Sequence, residues 1–436
     1  MPTPREHGRS VPRENARYVL REYGQHVLPG IRLTDADRRL LEDRALDGRL
    51  RVRELTGDRL EVTAGPYVGV VRLDACELRV LPKYLGGDLD VLRMLDYAWG
   101  GTGAALPLGQ DFTGGTPHLR DLVALMVTEH AERLLRHGVR GDYLTREDDL
   151  PVVRGRLLPD RQLIRHHGRL DRLACRFDEH DADIVDNRLC AHAVERAART
   201  ARSPEVRSRA RRAAARFAGY APGPLGDLRS AVSQLVYHRQ NEHYRPAHLW
   251  ARLLLSGGGI QDLFTAGPLA SRAFLVDMNQ LFEAFVTRLL REGAAAAGVR
   301  ADAQSRQRRV LFDEVTGAPY SEVRPDVLIS GTRDGAPFRL PVDVKYKLYD
   351  RRKLSTQDLY QAFLYAHALS GSPGRCSLVH PGDAGASGAT VSVRGADGGV
   401  SAVVRAVPVD LRAVLGELAG PEPVKAPARL FGEVLG

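Results

Sequence analysis

Asp326, Asp343 and Lys345 are the residues of this chain whose types and spacing are best suited to chemistry. In RLPVDVKYKLY (339–349), apolar and polar residues alternate, which predicts a strand. Val342, Val344, Tyr346 and Leu348 fall on one face, and Asp343, Lys345 and Lys347 on the other. Asp343 and Lys345 would then stand roughly 7 Å apart along the strand. Upstream, Asp326 opens a second apolar strand, RPDVLIS, and the loop between Ser330 and Pro341 has a length that suits a hairpin. Two carboxylates and one ammonium are thereby expected to converge at one sheet edge.

That set is what phosphodiester hydrolysis needs. Two carboxylates, Asp326 and Asp343, can hold Mg²⁺ (with Mn²⁺ as a substitute), a hard cation that takes oxygen ligands and stays partly hydrated. Such an ion neutralises the scissile phosphate and acidifies a bound water. Lys345 can orient or deprotonate that water, or stabilise charge as it develops; arginine cannot act as a base. A lone Asp-x-Lys on a strand is usually a solvated face with a weak ion pair. Three features separate this one. DVK is the only [DE]-x-K triplet in the chain, and a Pro-Asp strand precedes it at hairpin distance. The helix after it, STQDLYQAFLYAHALS, carries Asp358, Gln361 and Tyr365 at i, i+3 and i+7, on one face. Glu283, on a helix before the hairpin, is a candidate supporting carboxylate.

The basic residues strengthen the case. Of 63 Lys and Arg residues only Lys83, Lys345, Lys347, Lys353 and Lys425 are lysine, so arginine dominates as a GC-rich coding bias would make it. A lysine kept against that bias needs a reason. The net charge of +9 favours an anionic partner, most simply nucleic acid.

The elements that must position these residues can be read in outline. At 436 residues the chain should hold two or three domains at roughly 100–200 residues each. Residues 1–27 read as a basic tail with a short helix at 14–23. Residues 28–115 read as a β-rich domain with strands LRVREL, LEVTAG, VGVVRL and ELRVLPKY, a helix at 88–99 and a Gly-rich loop. Residues 116–265 read as mostly helical, with a helix closed by Gly138, a short β-like LPVVRGRLL, and a long helix or two broken at Pro246. Residues 266–436 read as an α/β domain. Its order is helix AFLVDMNQLFEAFVTRLLREG, strands RRVLFD, RPDVLIS and RLPVDVKYKLY, a helix, strand CSLVHP, a Gly/Ala-rich loop at 382–399, then a strand and a helix. The fold class expected is multidomain α/β. No run of 18 apolar residues suggests a membrane span. The N-terminus lacks a secretory h-region, and four scattered cysteines without a CxxC pair fit a reducing cytoplasm.

Eight stretches carry a closer resemblance: VGVVRLDACELRVLPKY, LLRHGVRGDYL with VVRGRLL, CRFDEHDADIVDNRL, LVYHRQNEHYRPAHLWARLLL, FLVDMNQLFEAFV, RPDVLI, VDVKYK and DLYQAFLYA. From about residue 67 to 380 the chain resembles the McrC family, the nuclease subunits of McrBC modified-DNA restriction systems. The resemblance implies a C-terminal PD-(D/E)xK restriction-endonuclease-like domain with Asp326, Asp343 and Lys345 catalytic, and Glu283 and Gln361 supporting. It also implies a McrB-like AAA+ GTPase hexamer as partner, stimulated and bridged by this chain, and the β region at 30–110 as the part that engages that ring. Double-stranded, modified DNA would be the substrate, and pairing of two copies within the assembly is open. The chain has no GxxxxGK[ST] and no Gly-Lys dipeptide, so another chain must hydrolyse the nucleotide.

Other features have plainer readings beside the functional one. The arginines of 196–216 could track a DNA backbone or form a solvated helix face in an Arg-biased chain. His166, His167, His238 and His243 lack a ligand set. DMN at 277–279 and DN at 186–187 read as caps or packing, and Cys376 as core. Two rival functions stand beside the restriction subunit: a self-sufficient nuclease, and a non-catalytic bridging subunit with a vestigial site.

Overall fold

The structure, a computed structural model, describes residues 16–42, 46, 48–101, 119–169, 171–256, 273–347, 349 and 353–436. Most of the basic tail, the Gly-rich loop up to Gly115, the glycines at 257–259 and Leu348 lie outside the described residues. The described residues form two compact units, one of residues 16–119 and 273–436 and the other of 120–256. The expected boundaries near residues 116 and 266 lie close to where the chain passes between the units, but the β-rich stretch and the α/β stretch, expected as separate domains, pack into one.

The first unit opens with β1 (Ala16–Arg21), β2 (Gln25–Pro29), α1 (Asp35–Glu42), β3 (Leu50–Leu55), β4 (Arg59–Ala64), β5 (Tyr67–Arg72), β6 (Cys76–Leu81) and α2 (Asp88–Ala98). The second unit holds α3 (Leu119–His137), β7 (Asp142–Leu150), β8 (Arg156–Leu157), α4 (Pro159–His166), β9 (Leu173–Asp181), α5 (Val185–Thr200), α6 (Pro204–Ala218), α7 (Leu228–Ser233) and α8 (Arg245–Leu255). The chain then returns to the first unit through β10 (Ala273–Asp277), α9 (Met278–Ala296), β11 (Arg300–Ala303), β12 (Gln307–Asp313), β13 (Ala318–Val323), β14 (Val327–Arg333) and β15 (Ala336–Val344). It ends with α10 (Thr356–Leu369), β16 (Gly374–Pro381), β17 (Thr390–Arg394), β18 (Val400–Val409), α11 (Leu411–Leu418) and α12 (Lys425–Leu435).

In the first unit, β2-β4-β3 form a small antiparallel sheet, and β1-β6-β5-β10 a four-stranded one. Of residues 14–23, expected as a helix, Ala16–Arg21 instead form β1, which runs parallel to β6, and 14 and 15 lie outside the described residues. AFLVD, expected as the start of a helix, is β10. Its first four residues are all buried, a pattern that fits a strand covered on both faces better than an amphipathic helix. It pairs with β5 so closely that a Cβ on Gly69, at φ +145°, would stand 2.0 Å from the Phe274 carbonyl oxygen.

The six-stranded sheet runs β11-β14-β15-β16-β18-β17. The expected hairpin loop between Ser330 and Pro341 is mostly paired strand, because the turn is only Asp334-Gly335, both at positive φ. That is the Asp-Gly hairpin signal, which fixes the register tightly. From β15 the chain crosses by α10 to the parallel β16, as a parallel pair requires. RRVLFD is β12, paired with β13 in a separate ribbon rather than in the main sheet. The loop expected at 382–399 contains β17.

The second unit is less helical than expected. β7 and β9 pair over nine residues, yet their charged residues gave no apolar alternation to read. Arg146 meets Glu179 and Asp181, and Arg176 meets Glu147, across the strands. Exposed pairs contribute about 0–1 kcal/mol each, so the buried Ala174, Cys175 and Phe177 anchor this ribbon. Pro246 does not break a helix; it sits in the first turn of α8, where its missing N–H costs nothing.

Gly69→Ala should destabilise the protein by about 1–3 kcal/mol, the range for overpacking a closed interior, through the seam between β5 and β10. A urea midpoint equal to that of the unsubstituted chain would show that the seam has room.

Candidate active site

Asp326, Asp343 and Lys345 do converge, at the end of β15 where the chain leaves the sheet. Asp343 is the second-last residue of that strand and only 1% exposed. Lys345 lies just past the strand rather than on its face, and its Nζ donates to Asp343 Oδ1 at 2.9 Å. Its backbone N–H still bonds to the Val379 carbonyl at 2.9 Å, which holds it against β16.

Asp326 precedes β14, opposite that end. Its Oδ2 accepts from the Val344 N–H at 2.7 Å, so the two strand ends are bound together by the carboxylate itself. Its Oδ1 accepts from Gln304 Nε2 at 3.1 Å, and its carbonyl from the Gln304 N–H at 2.8 Å. The Gln304 amide also donates to Glu283 on α9. Gln304 thus bridges two carboxylates. Sequence reading missed it, since neither periodicity nor a motif marks this residue, which follows β11 at φ +50°.

The expected face of α10 divides. Asp358 is buried but turns to Lys347, whose Nζ reaches its two oxygens at 2.9 and 2.7 Å, and to the Tyr349 and Ser355 hydroxyls. Gln361 donates to the Tyr365 hydroxyl at 2.8 Å, which donates to the Arg324 carbonyl at 3.0 Å. Gln361 therefore braces the turn leading to Asp326 and has no hydrogen bond to the carboxylates among the described residues.

The electrostatics of the site are unbalanced. Burial pushes the Asp343 carboxyl up; the Lys345 ammonium opposes that rise and the Asp326 carboxylate adds to it. Glu283 is also raised, by burial first and then by Asp326. Lys345 is raised too: burial disfavours its charge, but Asp343 more than offsets it. One ammonium is too little for three neighbouring carboxyls, because taking each ion out of water costs several kcal/mol.

Asp343 Oδ2 is buried and has no hydrogen-bond partner among the described residues. A bare carboxylate oxygen beside a second carboxylate is chemistry that fits a divalent cation. Among the described residues no group of three His, Cys, Asp or Glu side chains could hold an ion by itself. Mg²⁺ needs no such cage, since it is commonly held by one or two carboxylates and keeps several waters. Asp326 and Asp343 meet that requirement, with Glu283 behind them.

Several of the remaining candidates have structural employment. Arg209 bonds to Glu129 and Glu132, Arg207 to the Ala201 and Arg202 carbonyls, and Arg216 to the Leu135 carbonyl. Those arginines hold α6 within the second unit. Asn187 donates to the Arg140 and Ala182 carbonyls and accepts from Tyr244, so the DN pair is packing. Asp277 caps α9 by accepting from the Asn279 N–H. Cys376 is buried in the core between the sheet and α10. A groove of about 590 Å³ lined by Arg333, Arg339 and Arg375 lies toward the start of β15 and contains none of the site residues.

No helix among the described residues is long and apolar enough to cross a membrane. A comparison with curated proteins gives no match. Among solved structures, the chain is similar to one from a refined half-complex of a tetradecameric assembly of Thermococcus gammatolerans McrB AAA+ hexamers with bound McrC. The likeness has a TM-score of 0.59 at 18% identity and covers 96% of this chain and 100% of the other. A second likeness, to the cryo-EM structure of the Thermococcus gammatolerans McrBC complex, has 20% identity and a TM-score of 0.44, over 63% of this chain and 87% of that one. The family model of the McrBC 5-methylcytosine restriction system component matches residues 62–381, well over half of the chain. This chain belongs to the McrBC restriction-system component family.

Proposed function

We propose that this chain is the DNA-cutting subunit of a McrBC-type, modification-dependent restriction system, a Mg²⁺-dependent endonuclease with a PD-(D/E)xK site. The observation that carries the reading is the buried Asp343, one oxygen paired with Lys345 and the other bare, beside an Asp326 tied to the Val344 N–H.

Asp326 and Asp343 would hold the divalent ion. When bound, that ion supplies charge neutralisation at the scissile phosphate and a more acidic water. The chain's own residues do the rest. Gln304 and the Val344 amide orient Asp326, and Asp343 anchors the ammonium of Lys345. At the ordinary lysine value fewer than about one in a thousand amines is neutral at pH 7, and Asp343 moves Lys345 further from neutrality. Lys345 therefore acts as a fixed cation, stabilising the negative charge that builds on the phosphate as water attacks phosphorus and one P–O ester bond breaks.

The partner follows from the family and from what the similar solved assembly contains. We assign to this chain a McrB-like AAA+ GTPase hexamer, whose GTPase it stimulates, and modified double-stranded DNA as substrate, in the cytoplasm. The groups that hold nucleotide phosphates in P-loop enzymes are missing from this sequence, which leaves nucleotide hydrolysis to the partner.

Two measurements test this. Mg²⁺ or Mn²⁺ at 100 times its Kd should stabilise the protein by about 2.7 kcal/mol, read as a rise in melting temperature. Asp343→Asn should abolish that rise; an equal rise in the variant would place the ion elsewhere. Asp343→Ala should abolish cleavage of modified DNA in the presence of the GTPase partner while partner binding persists. Lys345→Ala should slow cleavage by about 10²–10³, the range for losing one electrostatic stabiliser. Full cutting by the Asp343→Ala protein would sink the assignment.

A further inference from the structure

The residue after Lys345 is held by the opposite end of the chain. Tyr346 is 2% exposed, and its hydroxyl donates to Glu22 Oε2 at 2.8 Å. The same oxygen accepts the Lys83 N–H at 2.8 Å. The Tyr346 carbonyl accepts from the Tyr23 hydroxyl at 3.0 Å. Its ring meets Tyr84 edge-on at 6.1 Å between centroids, and Phe282 on the far side at 5.6 Å. Both ends of one residue, side chain and backbone, are thus gripped by the turn between β1 and β2.

This grip is costly, which argues against accident. Glu22 is 3% exposed, and its Oε1 has no hydrogen-bond partner among the described residues. Burial pushes Glu22 up to about 7, against the Lys83 amide and the Tyr346 hydroxyl, so those two hydrogen bonds do not offset the water its carboxylate has lost. Tyr23 adopts φ +59°, a left-handed conformation uncommon for a bulky residue.

The segment so gripped needs external support. β15 ends at Val344, and beyond it Lys345 keeps a backbone bond only to Val379 and to the Lys347 N–H that closes a tight turn. Lys347 is drawn away to Asp358. Tyr346 is the remaining anchor between them. Tyr23, meanwhile, is 41% exposed, so the grip begins at a surface turn.

We infer that Glu22 and Tyr23 are positioning residues for Lys345, acting through Tyr346. The inference rests on the nuclease reading for its consequence, but not for its geometry. The test uses the full chain with Glu22→Ala, Glu22→Gln and Tyr23→Phe, the last removing one hydroxyl from a half-exposed residue. Hydrogen exchange at the Lys345 amide should speed up at least tenfold in Glu22→Ala and Tyr23→Phe, with the rest of the six-stranded sheet unchanged. Glu22→Gln, which can still accept from Tyr346, should restore slow exchange. Cleavage by Glu22→Ala in Mg²⁺ should fall about tenfold in kcat with KM for DNA unchanged. Unchanged exchange at Lys345, or faster exchange spread evenly over the sheet, overturns the inference. A wild-type chain that cuts no DNA under any condition defeats the nuclease reading alone, and the exchange result still decides this one.

Discussion

A carboxylate can be buried at the end of a sheet only if something answers its charge, and Asp343 sets that condition for the whole first unit. Lys345 answers one oxygen and nothing among the described residues answers the other. The surrounding architecture keeps that imbalance in place rather than relieving it. Asp326 is tied to the backbone of Val344, Gln304 ties Asp326 to Glu283, and Tyr365 braces the carbonyl of Arg324. Rearrangement to let water reach Oδ2 would break these bonds together. On the proposed reading, charge stored in this way would hold a hard cation without a preformed cage, because such an ion brings its own waters to the remaining positions.

The same geometry explains why the first and last thirds of the chain form one unit. Lys345 lies where the chain leaves the ladder, and a segment without ladder bonds must be held by other contacts. Here β16, α10 and the β1–β2 turn each hold one of residues 345–347. The pairing of β10 with β5 delivers α9, and with it Glu283 and Phe282, to the same place. What reads along the sequence as a separate β region is physically a wall of the candidate site.

Much of this was legible beforehand where local pattern and burial agree. The strands at 50–81, helices α2, α3 and α10 and the strand pair around Asp326 and Asp343 carry ordinary alternation or helical periodicity. Errors fell where the signal was weak or belonged to two structures at once. β10 is short and wholly apolar, so it reads equally as a helix turn. β7 and β9 are charged at half of their positions and show no regular apolar alternation, because cross-strand ion pairs occupy much of the ribbon. The Asp334-Gly335 turn was in the sequence all along, but the length of the intervening stretch obscured it.

The sequence by itself determined the candidate residues, two carboxylates and one lysine around two neighbouring strands, and membership of a family whose pattern runs through most of the chain. Those properties depend on residue type and short spacing, which periodicity reads directly. Only the tertiary structure decided that Lys345 stands past the end of β15, that Gln304 bridges Glu283 and Asp326, that Asp358 turns away to Lys347, and that Glu22 grips Tyr346 across more than three hundred residues. Each of those is a contact between segments distant in sequence. Its energy comes from burial and hydrogen bonding that exist only after the chain has folded, so no local pattern records it.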